Sequence, residues 1–221
     1  MNMDLLDFAR GPALRAAFVL FAFGVAWRLA SLLLMPRLHD LTPPRPGMRP
    51  SLVAAGREII RRSWPQGTLA RASLFATVNA HVFHIGLAVV VFGLAAHILF
   101  IRSLAGIAWP NLPNGVIYAA AVATLASLLV AMARRITNPV LRLLTTADDY
   151  AAWLLTFLPL LTGLAASSHI GARYETLLGL HILCVALFLA WFPYGKLMHA
   201  ILVFLARGST GIQLSRRGAQ P

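Results

Sequence analysis

The sequence predicts an all-α fold: an integral membrane bundle of five transmembrane helices, with the N-terminus outside and the C-terminus cytoplasmic. Three observations carry that prediction. Of 221 residues, 59% are hydrophobic and 12% charged, with a mean hydropathy of +0.75, whereas a soluble domain is about half apolar and about a quarter charged. The apolar residues gather in five stretches that each supply the roughly 20 residues needed to cross a bilayer core about 30 Å thick. The 19 Lys+Arg against 7 Asp+Glu, a net charge of +12, fall mainly on alternate connections between those stretches.

The first stretch, 12–35, reads through Ala17, Phe18, Val19, Leu20, Phe21, Ala22 and Phe23. It does not read as a cleaved signal peptide, because Asp4 and Asp7 stand where a positive region belongs. The second covers 78–101, and the third, 115–134, is almost purely Ala, Val, Leu and Ile. The fourth covers 149–167; the fifth, 176–206, exceeds one span and is expected to tilt or to extend into the cytoplasm. The whole chain, 1–221, reads as a single membrane domain.

Arginine placement sets the orientation. The connection between the first two spans holds Arg37, Arg45, Arg49, Arg57, Arg61, Arg62 and Arg71; the one between the third and fourth holds Arg134, Arg135 and Arg142; the C-terminal tail holds Arg207, Arg216 and Arg217. The opposite side holds Arg10, Arg15, Arg102 and Arg173, so the count is 13 against 4, with Arg28 and Lys196 inside spans. The charge is thus a positive-inside signal that meets anionic lipid headgroups, and nucleic acid is not expected as a partner. Cys184, the single cysteine, excludes a disulfide framework or a Cys-rich metal site within the chain.

The cytoplasmic connection 36–77 opens with Pro36, Pro43, Pro44, Pro46 and Pro50, which exclude a long helix there. Ser51 then starts a short amphipathic helix, with Leu52, Val53, Ile59, Ile60 and Trp64 set against Arg57, Arg61 and Arg62. It reads as a helix lying on the inner leaflet, or as part of a docking surface for a partner subunit.

Seven histidines occur, at 39, 81, 84, 97, 169, 181 and 199. An ionisable group inside a span is expensive and usually functional. The second span runs inside to outside, placing His84 near the inner face and His97 near the outer. The fifth runs back, placing His181 outer and His199 inner. The two spans therefore offer one histidine each at two depths, the arrangement that bis-His ligation of two stacked b-type haems requires. His181 and His199 are 18 residues apart, about 27 Å along one face of a continuous helix. His84 and His97 are less regular: their separation of 13 positions rotates the second by about 220°, and Gly86 and Gly93 are the small residues that offer accommodation. His81, one turn before His84, is the alternative ligand for the inner site. A lone intramembrane His is often only an interhelical hydrogen-bonding group; four at matched depths on antiparallel spans point to a cofactor.

The run from His181 to His199, with Phe192-Pro193-Tyr194 just before its end, resembles the gamma subunit of respiratory nitrate reductase and related Dsr-type membrane cytochromes. Phe83-His84-Ile85-Gly86 resembles that family's ligand motif on the second helix, and Thr145-Thr146-Ala147-Asp148-Asp149 its Thr-Thr-x-x-Asp element. The resemblance covers roughly 75–206. It implies two b haems, the inner held by His84 and His199 and the outer by His97 and His181. It also implies electron transfer between membrane quinol and a cytoplasmic iron–sulfur subunit, in a bacterial cytoplasmic membrane. The chain departs from the family twice. Leu94 stands where the second ligand of that helix belongs, three residues before His97, and no Lys follows Ala108-Trp109.

Arg71, Arg134, Arg135 and Lys196 are the candidate partners of inner-haem propionates. Trp109, Asn111, Asn114, Tyr174 and Glu175 are candidates to line an outer quinone pocket, and His169 is either a proton acceptor from quinol or a surface residue. Two alternatives stay open: a haem-free scaffold or transporter subunit, and a single-haem cytochrome that keeps only the inner site.

Overall fold

The computed structural model describes residues 4–36, 44–49 and 51–219; Arg37, His39, Pro43 and Pro50 lie outside these. Among the described residues there is no strand. The described residues form ten α-helices in order: α1 (Leu5–Phe8), α2 (Leu14–Leu34), α3 (Leu52–Arg61), α4 (Ala70–Gly93), α5 (Ala95–Ala105), α6 (Asn114–Thr137), α7 (Pro139–Leu143), α8 (Ala147–Ser168), α9 (Tyr174–Trp191) and α10 (His199–Arg216). A π-helical turn, Ala9–Ala13, joins α1 to α2. Among the described residues, six segments are long and apolar enough to cross a membrane: Leu5–Leu34, Ala70–Gly93, Asn114–Thr137, Ala147–Ser168, Tyr174–Trp191 and Lys196–Arg216. The protein is an all-helical, multi-pass membrane protein.

That count is six where the sequence suggested five, and the difference lies at Pro193. Proline lacks the amide donor and disfavours helix at the residue before it, so α9 stops at Trp191 and a turn follows, with the amides of Tyr194 and Gly195 bonding to Trp191 O at 3.0 and 3.1 Å. The stretch 176–206 is therefore two helices, and the 27 Å spacing of a continuous helix does not describe His181 and His199.

The chain forms two compact units. The first contains Met1–Leu20 and Phe75–Ala190. Its core is Leu125, Leu128 and Leu160, with Phe83, Leu87, Val90, Trp153, Phe157 and Leu164 packed around them. Gly86 brings α4 and α6 together: a Cβ there would fall 2.1 Å from Thr124 Oγ1. The hydroxyls of Thr124, Thr156 and Thr162 are buried, and each donates to the carbonyl four residues back. Large apolar side chains such as Ile85, Leu99 and Leu129 point outward. Small and hydroxylated residues at the helix contacts, with many large apolar side chains facing outward, are features of helices packed in lipid.

The Thr-Thr-x-x-Asp element has a local structural role here. Thr146 N donates to Asp149 Oδ2 at 2.8 Å, a capping box at the start of α8. Arg135 bridges the same element, 3.3 Å from Asp149 Oδ1 and 3.1 Å from Thr145 Oγ1.

The second unit contains Phe21–Leu74 and Trp191–Pro221. Arg28, in the span α2, donates from Nε to Pro193 O at 3.1 Å, so its charge is directed at a carbonyl in the turn that follows α9. Gly24 makes room for that turn, since a Cβ there would lie 2.4 Å from Pro193 Cγ. Ser51 Oγ accepts from Ala54 N and caps α3. The α3 helix then packs on α10, where Gly211 admits Ala54 O to within 2.5 Å of a hypothetical Cβ.

Candidate functional site

The first unit brings His97 and His181 together. Their ring centres are 6.1 Å apart and their planes 21° from parallel. The site is made possible by a break in the second predicted span. The α4 helix ends at Gly93, Leu94 is extended (φ −75°, ψ 128°), and α5 starts afresh at Ala95. The loop after α5 takes up carbonyls near the break: Leu112 N donates to Gly93 O at 2.9 Å and Trp109 Nε1 to Phe92 O at 2.6 Å. The break removes the 220° rotational mismatch that a straight helix would impose between His84 and His97, because the two residues are not on one helix. His97 Nδ1 lies 3.1 Å from Val90 O, reaching back across the break.

His181 is seated from α8. Its Nδ1 is 3.0 Å from Pro159 O and 3.4 Å from Thr162 Oγ1. Gly163 provides the space for its ring, because a Cβ there would stand 3.0 Å from His181 Cε1. A ring N–H donated to a carbonyl fixes the tautomer and leaves the other nitrogen, Nε2, with the lone pair. This is the usual outer contact of a metal-ligating histidine. Two imidazoles binding one metal ion from opposite sides, with bonds of about 2 Å, have their ring centres roughly 6 Å apart. His97 and His181 stand at that separation. Pro159, Thr162 and Gly163 were not singled out from sequence. A glycine and a proline inside a predicted span were the available signal, and nothing in sequence alone tied them to a residue on another helix.

The other candidate residues lie elsewhere. His81 and His84 are on α4, their Nδ1 atoms 2.8 Å from Thr77 O and 2.7 Å from Ala80 O. His84, but not His81, lines a cleft of about 340 Å³ between α4, α6 and α8 that also contains Arg134, Arg135 and Trp153. Ser127 Oγ, buried in that cleft wall, has no hydrogen-bond partner among the described residues. Arg134 lies over the Phe75 ring at 5.5 Å. His199 opens α10 in the second unit, its Nδ1 2.7 Å from Lys196 O.

Near the loop after α8, His169 adopts a left-handed backbone (φ 54°) that ends the helix and stacks on Tyr174 at 5.1 Å. Glu175 stands 3.8 Å from Arg173. Trp109 is committed to the α4–α5 break, and Asn111 Nδ2 donates to Leu112 O at 3.2 Å in the same loop. Among the described residues no three His, Cys, Asp or Glu side chains gather in one cluster.

The fold and this histidine pair define a multi-pass helical membrane protein with a paired-imidazole site between helices. The chain is 33% identical over 219 residues to a protein of Nitratidesulfovibrio vulgaris (strain Hildenborough) described simply as "Protein", an alignment that covers 96% of this chain and 95% of the relative. The chain belongs to the family of that protein. No protein-family model matches the sequence, and no solved structure does.

Proposed function

We propose that this protein is a membrane-anchoring b-type cytochrome subunit. It would carry electrons between the quinone pool and a cytoplasmic iron–sulfur partner, in a bacterial cytoplasmic membrane. The observation that carries the reading is the His97–His181 pair, with ring centres 6.1 Å apart and both Nδ1 atoms directed at backbone carbonyls. The donor set fits a haem: two imidazoles from different helices, in a largely apolar setting. When bound, the haem iron supplies reversible one-electron chemistry. His97 and His181 would both hold the haem through their imidazoles, so that it would serve electron transfer and not the binding of oxygen or substrate. Gly163 and Pro159 hold the His181 ring in place, and the break at Leu94 aims His97.

His84 and His199 are the proposed inner pair, on the strength of the motif that runs from His181 to His199, with His81 as the alternative to His84. The hydrogen bonds to Ala80 O and Lys196 O set the same tautomer in His84 and His199. Arg134 and Arg135, which share a cleft with His84, suit the carboxylates of haem propionates, as do Arg71 and Lys196. At the outer end, the stacked His169 and Tyr174 suit the transfer of a proton from quinol.

Five segments are taken to cross the bilayer, with the N-terminus outside and the C-terminus inside. Lys196–Arg216 has the lowest hydropathy of the six, 1.3, and contains Arg207 and Arg216. Its α10 helix packs against the charged α3, which favours a position at the inner face over a sixth crossing.

The test is a reduced-minus-oxidised spectrum and a pyridine haemochrome count on the purified complex. Two b haems per chain are expected. One haem would reduce the reading to a single-haem cytochrome, and a colourless protein would replace it with a haem-free scaffold or transporter subunit.

A further inference from the structure

The end of α3 and the middle of α10 bring three guanidinium groups around one open cleft of about 480 Å³, walled by Arg61, Arg62, Trp64, Gln66 and Arg207. One carboxylate, Glu58, lies fully buried beside them. Arg61 donates to both its oxygens, from Nε at 3.0 Å and Nη2 at 3.1 Å, and Arg62 Nε donates to it as well. Three positive charges against one negative leave the cleft with a surplus of two.

The guanidiniums are also held in place. Arg61 Nη1 donates to Gln66 Oε1 at 2.6 Å, and Gln66 Nε2 returns a bond to Arg61 O at 2.7 Å. Arg207 Nη1 donates to neutral acceptors, Ser63 Oγ at 3.3 Å and Ile59 O at 3.5 Å. Fixed guanidinium forks in a concave site are suited to phosphate, which they bind through paired charge-assisted hydrogen bonds.

The neighbourhood decides which phosphate. Leu52, Val53 and Ile60 on the same helix are 83%, 74% and 71% exposed, and Trp64 in the cleft wall is 59% exposed. A soluble phosphate ligand has no use for that apolar surface. A lipid has, because its phosphate sits beside the acyl boundary where such side chains insert.

We propose that the cleft formed by Arg61, Arg62, Trp64 and Arg207 binds the phosphate of an anionic phospholipid headgroup, with Leu52, Val53 and Ile60 seated in the adjoining acyl layer. The inference is independent of the haem reading, since it uses none of the histidines.

The test is lipid retention by the full-length protein in nanodiscs of phosphatidylcholine mixed with phosphatidylglycerol, read by native mass spectrometry after partial delipidation. Arg207→Gln removes a cleft charge without stripping Glu58 of its partners. Arg57→Gln removes the same charge from an exposed position on α3 outside the cleft walls. Arg207→Lys keeps the charge but loses the fork. The expected result is a loss of retained phosphatidylglycerol of about five-fold or more in Arg207→Gln, little change in Arg57→Gln, an intermediate value in Arg207→Lys, and no effect of millimolar inorganic phosphate. Equal losses in Arg207→Gln and Arg57→Gln would reduce the site to diffuse surface charge and overturn the proposal. Displacement of the lipid by inorganic phosphate, or binding of a phosphopeptide without lipid, would overturn it in favour of a soluble ligand. Circular dichroism of each variant separates loss of binding from loss of fold.

Discussion

His97 and His181 face one another with ring centres 6.1 Å apart and planes 21° from parallel, and each directs Nδ1 at a backbone carbonyl within 3.1 Å. Each ring is therefore oriented by backbone: the helix of His97 starts afresh after the break at Leu94, and His181 is met by Pro159 O, a carbonyl of the neighbouring α8.

Removing either ring should remove one cofactor. His97→Ala and His181→Ala are each expected to lower the haem content from two per chain to about one, with loss of the same component in a redox titration. His81→Ala is expected to leave both. Pyridine haemochrome quantitation checks all three. An unchanged haem content in both His97→Ala and His181→Ala would end the assignment of this pair.

Gly163→Ala tests the seat rather than the ligand. The added methyl would stand 3.0 Å from His181 Cε1, so the ring must shift. Overpacking of this kind costs about 1–3 kcal/mol. A displaced midpoint potential or a broadened α-band is expected in a chain that still inserts and folds. A midpoint equal to that of the wild type would show that the ring has room to spare.

Gly86→Ala places a Cβ 2.1 Å from Thr124 Oγ1, on the contact between α4 and α6. A destabilisation of about 1–3 kcal/mol is expected, seen as a lower thermal midpoint in detergent. Thr124→Ala in the same chain should restore part of it, since it removes the clashing hydroxyl. A double variant no better than the single one would place the strain elsewhere, for example at Ala120 O, 3.2 Å from the same position.

The α3 helix should loosen in acid. Hydrogen bonds from Arg61 and then Arg62 hold the Glu58 carboxyl below the usual carboxylate range. A depressed folded-state value means that the stabilisation is fully present above the unfolded value of about 4.3, and is lost as the pH falls through the lower, folded one. Hydrogen exchange in Leu52–Arg61 should therefore stay slow at neutral pH and rise only below about pH 4. In Glu58→Gln it should be fast at every pH. Protection in Glu58→Gln equal to that of the wild type would remove the ion pairs from the account.

Orientation can be read by labelling. With Cys184 replaced by Ala, a cysteine at Asn111 is expected to react with an impermeant maleimide from outside intact cells, and one at Ser215 only after permeabilisation. The reverse pattern would invert the topology and exchange the inner and outer assignments of every histidine.

Much of the architecture was legible in the sequence. Runs such as 115–134 have few places to go but a bilayer, and the Pro193 that divides 176–206 is visible as a residue. Its consequence was not, because a proline within an apolar stretch kinks some helices and ends others. Here Gly24 and Arg28 of α2 receive the turn and satisfy its carbonyl, so ending the helix is tolerated. The Thr-Thr-x-x-Asp element at Thr145–Asp149 was likewise visible as a motif, while its role as a capping box and its tie to Arg135 were not.

The sequence by itself determined the helical class, the affinity for a membrane and the list of histidines, because composition and hydropathy act through solvent and need no partner. Depth along the antiparallel spans also set His97 against His181 in the sequence reading, but only the tertiary structure decided how those two rings are brought together. Pairing depends on where a helix breaks and on which small residue on a neighbouring helix leaves space, and both are properties of contacts between distant segments. Leu94 ends one helix so that the next can aim His97, and Gly163 leaves the space in which His181 stands.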